Sequence, residues 1–275
     1  MLRKNPTPAS EPPRLPLKPK SEPGARAASM FFDAYPRFFE TSETSAFRAR
    51  LNLRYEAIFG ENRDIFQDAK VLDIASHDGR WSFAALQTGA KSVIGVEARP
   101  DLVQHAEENL QAYGIDASRY QFVAGDVFEV LAEQTYDVDV VLCLGFLYHT
   151  LRFTELMKRI RQLDPRHVII DTEVLPGHGK KPLVVIHHEG VSREGNAVAD
   201  QFSHGDMVLS GKPNLKALKK LLQAYDFRLE RLSDWGGLIR DNPAANEVSD
   251  YERRERLTAR CEWLPTGTNQ WRVGE

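Results

Sequence analysis

Between residues 71 and 175, short apolar runs alternate with amphipathic stretches at a spacing that leaves few architectures open. The runs 71–75, 91–97, 120–124, 138–145 and 167–175 read as five strands. Helical patterns fall between them, at about 79–88, 100–113, 127–133 and 153–163. Strands joined through helices cross over and lie parallel, and a parallel sheet needs cover on both faces. The rhythm predicts a doubly wound α/β fold. Two later runs, 227–234 and 257–264, read as closing strands, which makes a mostly parallel sheet of seven.

What flanks this core is less regular. From 29 to 66 the sequence predicts an N-terminal helical cap, with Phe31, Phe32, Tyr35, Phe38 and Phe39, then Phe47, Leu51, Tyr55, Ile58 and Phe59, at spacings of three and four. Those rings read as core or as a lid across a pocket mouth. Residues 1–28 interleave proline with Lys, Arg, Glu and Ser and are expected to be a disordered leader. The span 67–275 reads as one domain with an insertion at about 176–212. Within and after it the sequence predicts a strand at 181–189, a loop over 190–211, a helix at 213–224 with Pro213 in its first turn, and a polar loop over 235–256. Lys212, Lys216, Lys219 and Lys220 read as a solvated face, and Arg253, Arg254, Arg256 and Arg260 as decoration of an edge.

Composition narrows the partners. A formal net charge of −3 creates no attractive field for nucleic acid or an anionic membrane. No run has the length of a membrane span. Arg3 and Lys4 are followed by prolines and charges rather than by the apolar stretch of a signal peptide. The two cysteines, Cys143 and Cys261, sit in apolar runs and read as reduced and buried. The expectation is a cytoplasmic protein, with a homodimer left open.

The stretch VLDIASHDGRWSFAAL poses the chemical question. A parallel sheet binds its ligand beyond the carboxyl ends of its strands. The turn leaving the first strand has two acids, Asp73 and Asp78, and one glycine, Gly79. A dinucleotide would bring pyrophosphate over this turn and needs the G-x-G-x-x-G pattern for close backbone approach. Ala75 and His77 occupy the places of the first two glycines, and the acids would repel phosphate. A cationic ligand without phosphate suits the turn better.

Over roughly residues 66–265 the sequence resembles the class I S-adenosylmethionine-dependent methyltransferases. VLDIASHDG is similar to a glycine-poor version of their first motif, VIGVEARPDLV to the second, FVAGDV to the third and VVLCLGFLYHT to the fourth. The resemblance implies a Rossmann-like fold and S-adenosylmethionine as cofactor. It implies contacts from Asp73, Ala75, Ser76, His77 and Gly79 in the turn, ribose hydroxyls on Glu97 beside Ala98, and the adenine amino group on Asp126 with the Val127 backbone. It also places Leu144 and Gly145 beneath the methionine moiety. Asp78 reads as a helix cap or a ligand contact; Arg80 reads as a partner of the methionine carboxylate or as a solvated arginine. The segment GFLYHT is similar to one subgroup, which includes the bacterial tRNA wobble-uridine carboxymethyl transferase and small-molecule relatives.

His149 lies just past the fourth strand, where a transferred methyl would emerge. It reads as a general base, or as a histidine packed at the sheet edge, and Tyr148 as an orienting neighbour. Asp171 and Glu173 share a face at the end of the fifth strand, and His187 lies on the next one. They read as ligands of a Mg2+ ion or as polar pocket lining. The first expectation is O-methylation of a polar small molecule such as a sugar or natural product. A tRNA-modifying enzyme is the second, with the lack of a dense basic stripe against it. A non-catalytic binding module is the third.

Overall fold

The computed structural model describes residues 30–41, 47–177, 181–192, 195–245 and 247–264. The leader assigned to 1–28 lies outside them. Ahead of the sheet come the single helical turn α1 (Arg37–Glu40), the helix α2 (Arg48–Ile58) and the turn α3 (Arg63–Phe66). Strands and helices then alternate as predicted: β1 (Lys70–Ile74), α4 (Arg80–Thr88), β2 (Ser92–Glu97), α5 (Pro100–Ala112), β3 (Tyr120–Ala124), α6 (Val127–Glu133), β4 (Val140–Leu144), α7 (Phe153–Gln162) and β5 (His167–Glu173). The later elements are β6 (Val184–Gly190), β7 (Met207–Pro213), α8 (Leu215–Ala224), β8 (Phe227–Leu232), α9 (Trp235–Asp241), α10 (Ser249–Glu252) and β9 (Arg256–Trp263).

The main sheet has seven strands in the order β3-β2-β1-β4-β5-β9-β8. The first five are parallel; β9 runs antiparallel to β5, and β8 antiparallel to β9. Strand order reverses between β1 and β4, so successive crossovers leave toward opposite sides and open a crevice at the carboxyl ends. The period of two along β1 feeds two cores. Leu72 and Ile74 join Val141, Cys143 and Ile170 on the face covered by α6, α7 and α8, while Val71 joins Val140, Leu142 and Ile169 on the other.

That second face is covered by α4 and by the N-terminal aromatic residues. Phe32, Phe38, Leu51, Ile58 and Phe59 are wholly buried, and Phe31 stacks on Tyr55 with ring centroids 3.8 Å apart. Phe47 is the exception, being more than half exposed. Cys143 and Cys261 are buried free thiols, and burial pushes the Cys143 thiol up to about 12. Among the described residues no helix is long and apolar enough to cross a membrane.

Three segments differ from the sequence reading. Residues 207–211, the end of the stretch 190–211 read as a loop for its Gly, Ser and Asp, belong to β7 (207–213), which pairs antiparallel with β6. Gly211 sits on that strand because a Cβ there would meet Leu151 at 2.7 Å and Phe153 at 3.1 Å, so the glycine marks close packing rather than a turn. Pro213 therefore ends a strand instead of opening a helix, and Asn214 caps α8 by accepting from the Ala217 amide at 2.9 Å. The polar stretch 235–256 holds α9 and α10, fixed to each other by stacking of Trp235 on Tyr251.

Candidate active site

A cleft of about 1070 Å³ opens at the carboxyl ends of the parallel strands. Of the residues singled out in the sequence, Ala75, His77, Arg80, Glu97, Ala98, Asp126, Val127, Leu144, Gly145, Tyr148 and His149 line it. Asp73, Ser76, Gly79, Asp171, Glu173 and His187 do not stand among its lining residues.

The turn after β1 keeps a glycine-like course without the glycines. Ala75 and His77 have φ of 54° and 53°, a region that disfavours a Cβ by about 1 kcal/mol or more. The third position cannot vary in this way. Gly79 has φ 76°, and a Cβ would meet Ala106 at 2.9 Å, so its glycine serves the packing of α4 on α5 rather than a ligand.

The acids of the turn are not offered to the cleft. Asp78 is fully buried and takes Arg80 Nε at 2.6 Å, Arg80 Nη2 at 2.9 Å and the Thr41 hydroxyl at 2.7 Å. Burial alone would raise its carboxyl, but the Arg80 and His77 charges and hydrogen bonds hold it well below the usual range. Asp78 thus neither caps α4 nor faces a ligand, and Arg80 is a buried, paired arginine in the cleft wall rather than a solvated one. Ser76 is wholly buried against Gly95.

Asp73 accepts from the Ser82 hydroxyl at 2.7 Å, while its Oδ1 is buried without a partner. Desolvation, opposed by the Ser82 hydrogen bond and assisted by Glu97, pushes its carboxyl up to about 7. Below about pH 4 the folded and unfolded chains both hold this proton and no penalty exists. Between there and pH 7 the unfolded chain ionises first, so stability falls as pH rises and the full penalty stands above pH 7. Asp73→Asn in the ligand-free protein is therefore expected to raise the melting temperature at pH 8, with the gain fading toward pH 5. A gain that stays the same across that range would refute the assignment.

Two carboxylates do face the cleft. Glu97 ends β2, and its oxygens accept one loop amide each, from His77 at 2.9 Å and Arg99 at 3.0 Å. Each oxygen keeps capacity for a further donor. Asp126 caps α6 through Oδ1, which accepts from the Phe128 and Glu129 amides. Its other oxygen makes no such bond within the helix turn.

Past β4, the turn Leu147–His149 projects His149 and Tyr148 into the cleft. His149 Nδ1 lies 2.7 Å from Oε2 of Glu189, on β6, which also accepts the Ala197 amide at 3.2 Å. Burial alone would raise the Glu189 carboxyl, but the hydrogen bond and charge of His149 and the Ala197 amide outweigh it and hold it below the ordinary range. An ionised Glu189 accepts from Nδ1, so in the neutral form of the ring Nε2 is the nitrogen with the lone pair.

The far end of the cleft, toward β5 and β9, is built around Asp171. Its Oδ1 accepts from Arg256 at 2.7 Å and Arg54 at 3.1 Å, and its Oδ2 from Thr258 at 2.6 Å and Tyr251 at 2.8 Å. Burial opposes ionisation, but the two arginines hold the carboxyl well below its usual range. This accounts for the Mg2+ candidates. Asp171 has spent its lone pairs on four donors, Glu173 pairs with Lys212, and no group of three His, Cys, Asp or Glu suited to a metal occurs among the described residues. Arg256, read from sequence as edge decoration, is buried and lines the cleft.

The comparisons with known proteins bear on this geometry. Residues 71–164 match a family described as a methyltransferase domain. Over that span the chain is similar to a methyltransferase domain. Among solved structures, a Mesorhizobium loti S-adenosylmethionine-dependent methyltransferase shares the fold at a TM-score of 0.53 and 15% identity, over 76% of this chain and 97% of that one. The DhpI–SAH complex does so at 0.53 and 16%, over 85% and 97%. Among curated proteins, the histone-arginine methyltransferase CARMER of Drosophila ananassae is 26% identical over 225 residues, 78% of this chain. The chain spans about two fifths of the length of the curated relatives it matches.

The cleft also holds residues that the sequence reading passed over: Arg50, Arg54, Trp81, Arg99 and the segment 195–198. For Arg50 and Arg54 the signal is two basic residues at i and i+4 within a helix whose other buried residues are mostly apolar. The segment 195–198 reaches the cleft through tertiary contacts of the β6–β7 hairpin, which leave no local mark.

Proposed function

We propose that this domain transfers a methyl group from S-adenosylmethionine to a hydroxyl of a polar small molecule, with His149 as general base. The observation that carries the reading is one cleft with Glu97 and Asp126 at the β2–β3 end and a histidine oriented by Glu189 beyond β4. The residues fit the donor. Glu97 is held rigidly by two loop amides and retains lone pairs for the ribose hydroxyls, and the second oxygen of Asp126 suits the adenine amino group with the Val127 amide beside it. Leu144 and Gly145 underlie the methionine moiety, and Arg80 at the start of α4 faces its carboxylate.

Bound S-adenosylmethionine supplies an electrophilic methyl on a sulfonium. The protein aligns the acceptor oxygen with it, since displacement is in line and alignment supplies much of the rate. His149 Nε2 accepts the hydroxyl proton as the oxygen attacks. Glu189 holds the tautomer and the ring plane, and stabilises the imidazolium formed. Tyr148, whose ring lies 4.1 Å from that of His149, orients the acceptor.

Calorimetric titration with S-adenosylhomocysteine tests the donor site. Glu97→Ala removes the ribose acceptor and unpairs two part-buried loop amides, each costing up to about 1–3 kcal/mol where water cannot replace the carboxylate. Affinity is expected to fall about a hundredfold, against roughly tenfold for Asp126→Ala. Parental affinity in both variants would overturn the proposal.

A further inference from the structure

We infer that the methyl acceptor carries an anionic group, a carboxylate or a phosphate, held by Arg50, Arg54 and Arg256 at the β5–β9 end of the cleft. The inference rests on the methyl-transfer reading and adds to it the class of acceptor. All three side chains line the cleft, and each residue is more than nine-tenths buried. Asp171 pairs with both Arg54 and Arg256, and Asp250 with Arg50 through two hydrogen bonds of 2.7 and 2.8 Å. Three guanidiniums thus share two carboxylates, one positive charge in excess. Glu173 comes within 3.9 Å of Arg256 but is itself paired with Lys212, so it leaves the excess in place. The Nε–H groups of Arg50 and Arg54 are buried with no acceptor.

A buried cation in the cleft wall without its own counter-charge is costly. A ligand that brings the missing negative charge removes that cost on binding. Guanidinium is the group whose planar fork matches carboxylate and phosphate oxygens in pairs. Placement separates this excess from the donor's acid-lined end. Glu97 ends β2 and Arg256 begins β9, four strands apart in the sheet, or roughly 19 Å at the usual interstrand spacing. The arginines instead adjoin the base: Arg256 Nη1 donates to the Tyr148 hydroxyl at 3.3 Å, and the Tyr148 ring lies against His149. An anion seated there sets a hydroxyl on the same small molecule before Nε2. A guanidinium acceptor, of the kind in the name of the fly relative, would meet like charge.

The test is calorimetry on the full chain saturated with S-adenosylhomocysteine, using inorganic phosphate and succinate as probes, in the parent and in Arg50→Gln and Arg54→Gln. At least one probe is expected to bind the parent complex and to bind each variant at least about tenfold more weakly, a 1.4 kcal/mol change. Affinity for S-adenosylhomocysteine should stay within about twofold. Binding of phosphate alone, or of succinate alone, names the acceptor's anion. No probe binding, or equal binding in parent and variants, overturns the proposal. So does a fall in S-adenosylhomocysteine affinity with probe binding unchanged, which would assign the arginines to the donor's carboxylate. If Arg54→Gln does not fold, Arg50→Gln decides, because its partner Asp250 keeps contact with solvent. A parent that fails to bind S-adenosylhomocysteine sinks the methyl-transfer reading instead, and probe titration of the ligand-free protein then decides the anion site by itself.

Discussion

Asp171→Ala is expected to destabilise the protein by about 3–5 kcal/mol, the scale for removing one partner of a buried ion pair. The parent carboxylate has no exposed surface and joins four donors from α2, α10 and β9 on β5. Its loss leaves the Arg54 guanidinium buried without its carboxylate, Arg256 with only Glu173 at 3.9 Å, and the Tyr251 and Thr258 hydroxyls without this acceptor. Thr258 also accepts from the Trp235 indole at 3.1 Å, so α9 loses its anchor with the rest. For a domain of this size the loss corresponds to a fall of roughly 10 °C in melting temperature. Scanning calorimetry at neutral pH reads it directly, and a shift of only a degree or two would show that the network contributes little. Asp171→Asn restores the volume and one acceptor, so it should cost less than the alanine. The carboxyl is held low in the fold, so its stabilisation is complete above about pH 4 and is lost as pH falls through the folded value.

His149→Ala is expected to lower turnover by about a hundredfold or more while leaving the affinity for S-adenosylhomocysteine unchanged. The separation follows from geometry. His149 follows β4, two strands across the sheet from Glu97 at the end of β2, and it is not among the donor contacts proposed above, so truncating it removes a proton acceptor and no donor contact. Glu189→Gln should leave a smaller defect, at least about tenfold, because the amide can present its N–H to Nδ1 and favour the wrong tautomer. Single-turnover rates with a methylatable acceptor distinguish the two variants. Turnover near the parental rate in His149→Ala would remove the base from the mechanism.

The sheet was legible because its signals are local. Each of the five parallel strands falls within two residues of the run that predicted it, since a buried parallel strand is a short apolar block. Glu97 and Asp126 were legible for the same reason: both stand at strand ends, one residue type at one position. What escaped depends on contacts between distant segments. Gly211 read as part of a loop and Pro213 as the first turn of a helix, yet β7 exists because β6 supplies its hydrogen bonds and Leu151 and Phe153 pack against the bare glycine. Arg50 and Arg54 escaped because the periodicity of α2 was followed through its rings, whereas α2 is buried on nearly every side. The acidic character of the turn after β1 was over-read. Asp73 and Asp78 are acids in sequence, but one is turned behind the wall and the other is consumed by Arg80.

The carboxylate that pairs with His149 comes from outside the main sheet. Glu189 belongs to β6, which among the described residues pairs with β7 in a separate two-stranded sheet, and the segment 195–198 that follows it forms another stretch of cleft wall. On the proposed function, a graft of this hairpin from a relative would therefore exchange acceptor preference and base orientation together, and would also change the Val191 and Asn196 carbonyls that accept from Arg99 beside Glu97. The same coupling sets a limit on such grafts: any hairpin that lacks an acid at the position of Glu189 would deliver a new specificity to a histidine with no fixed tautomer.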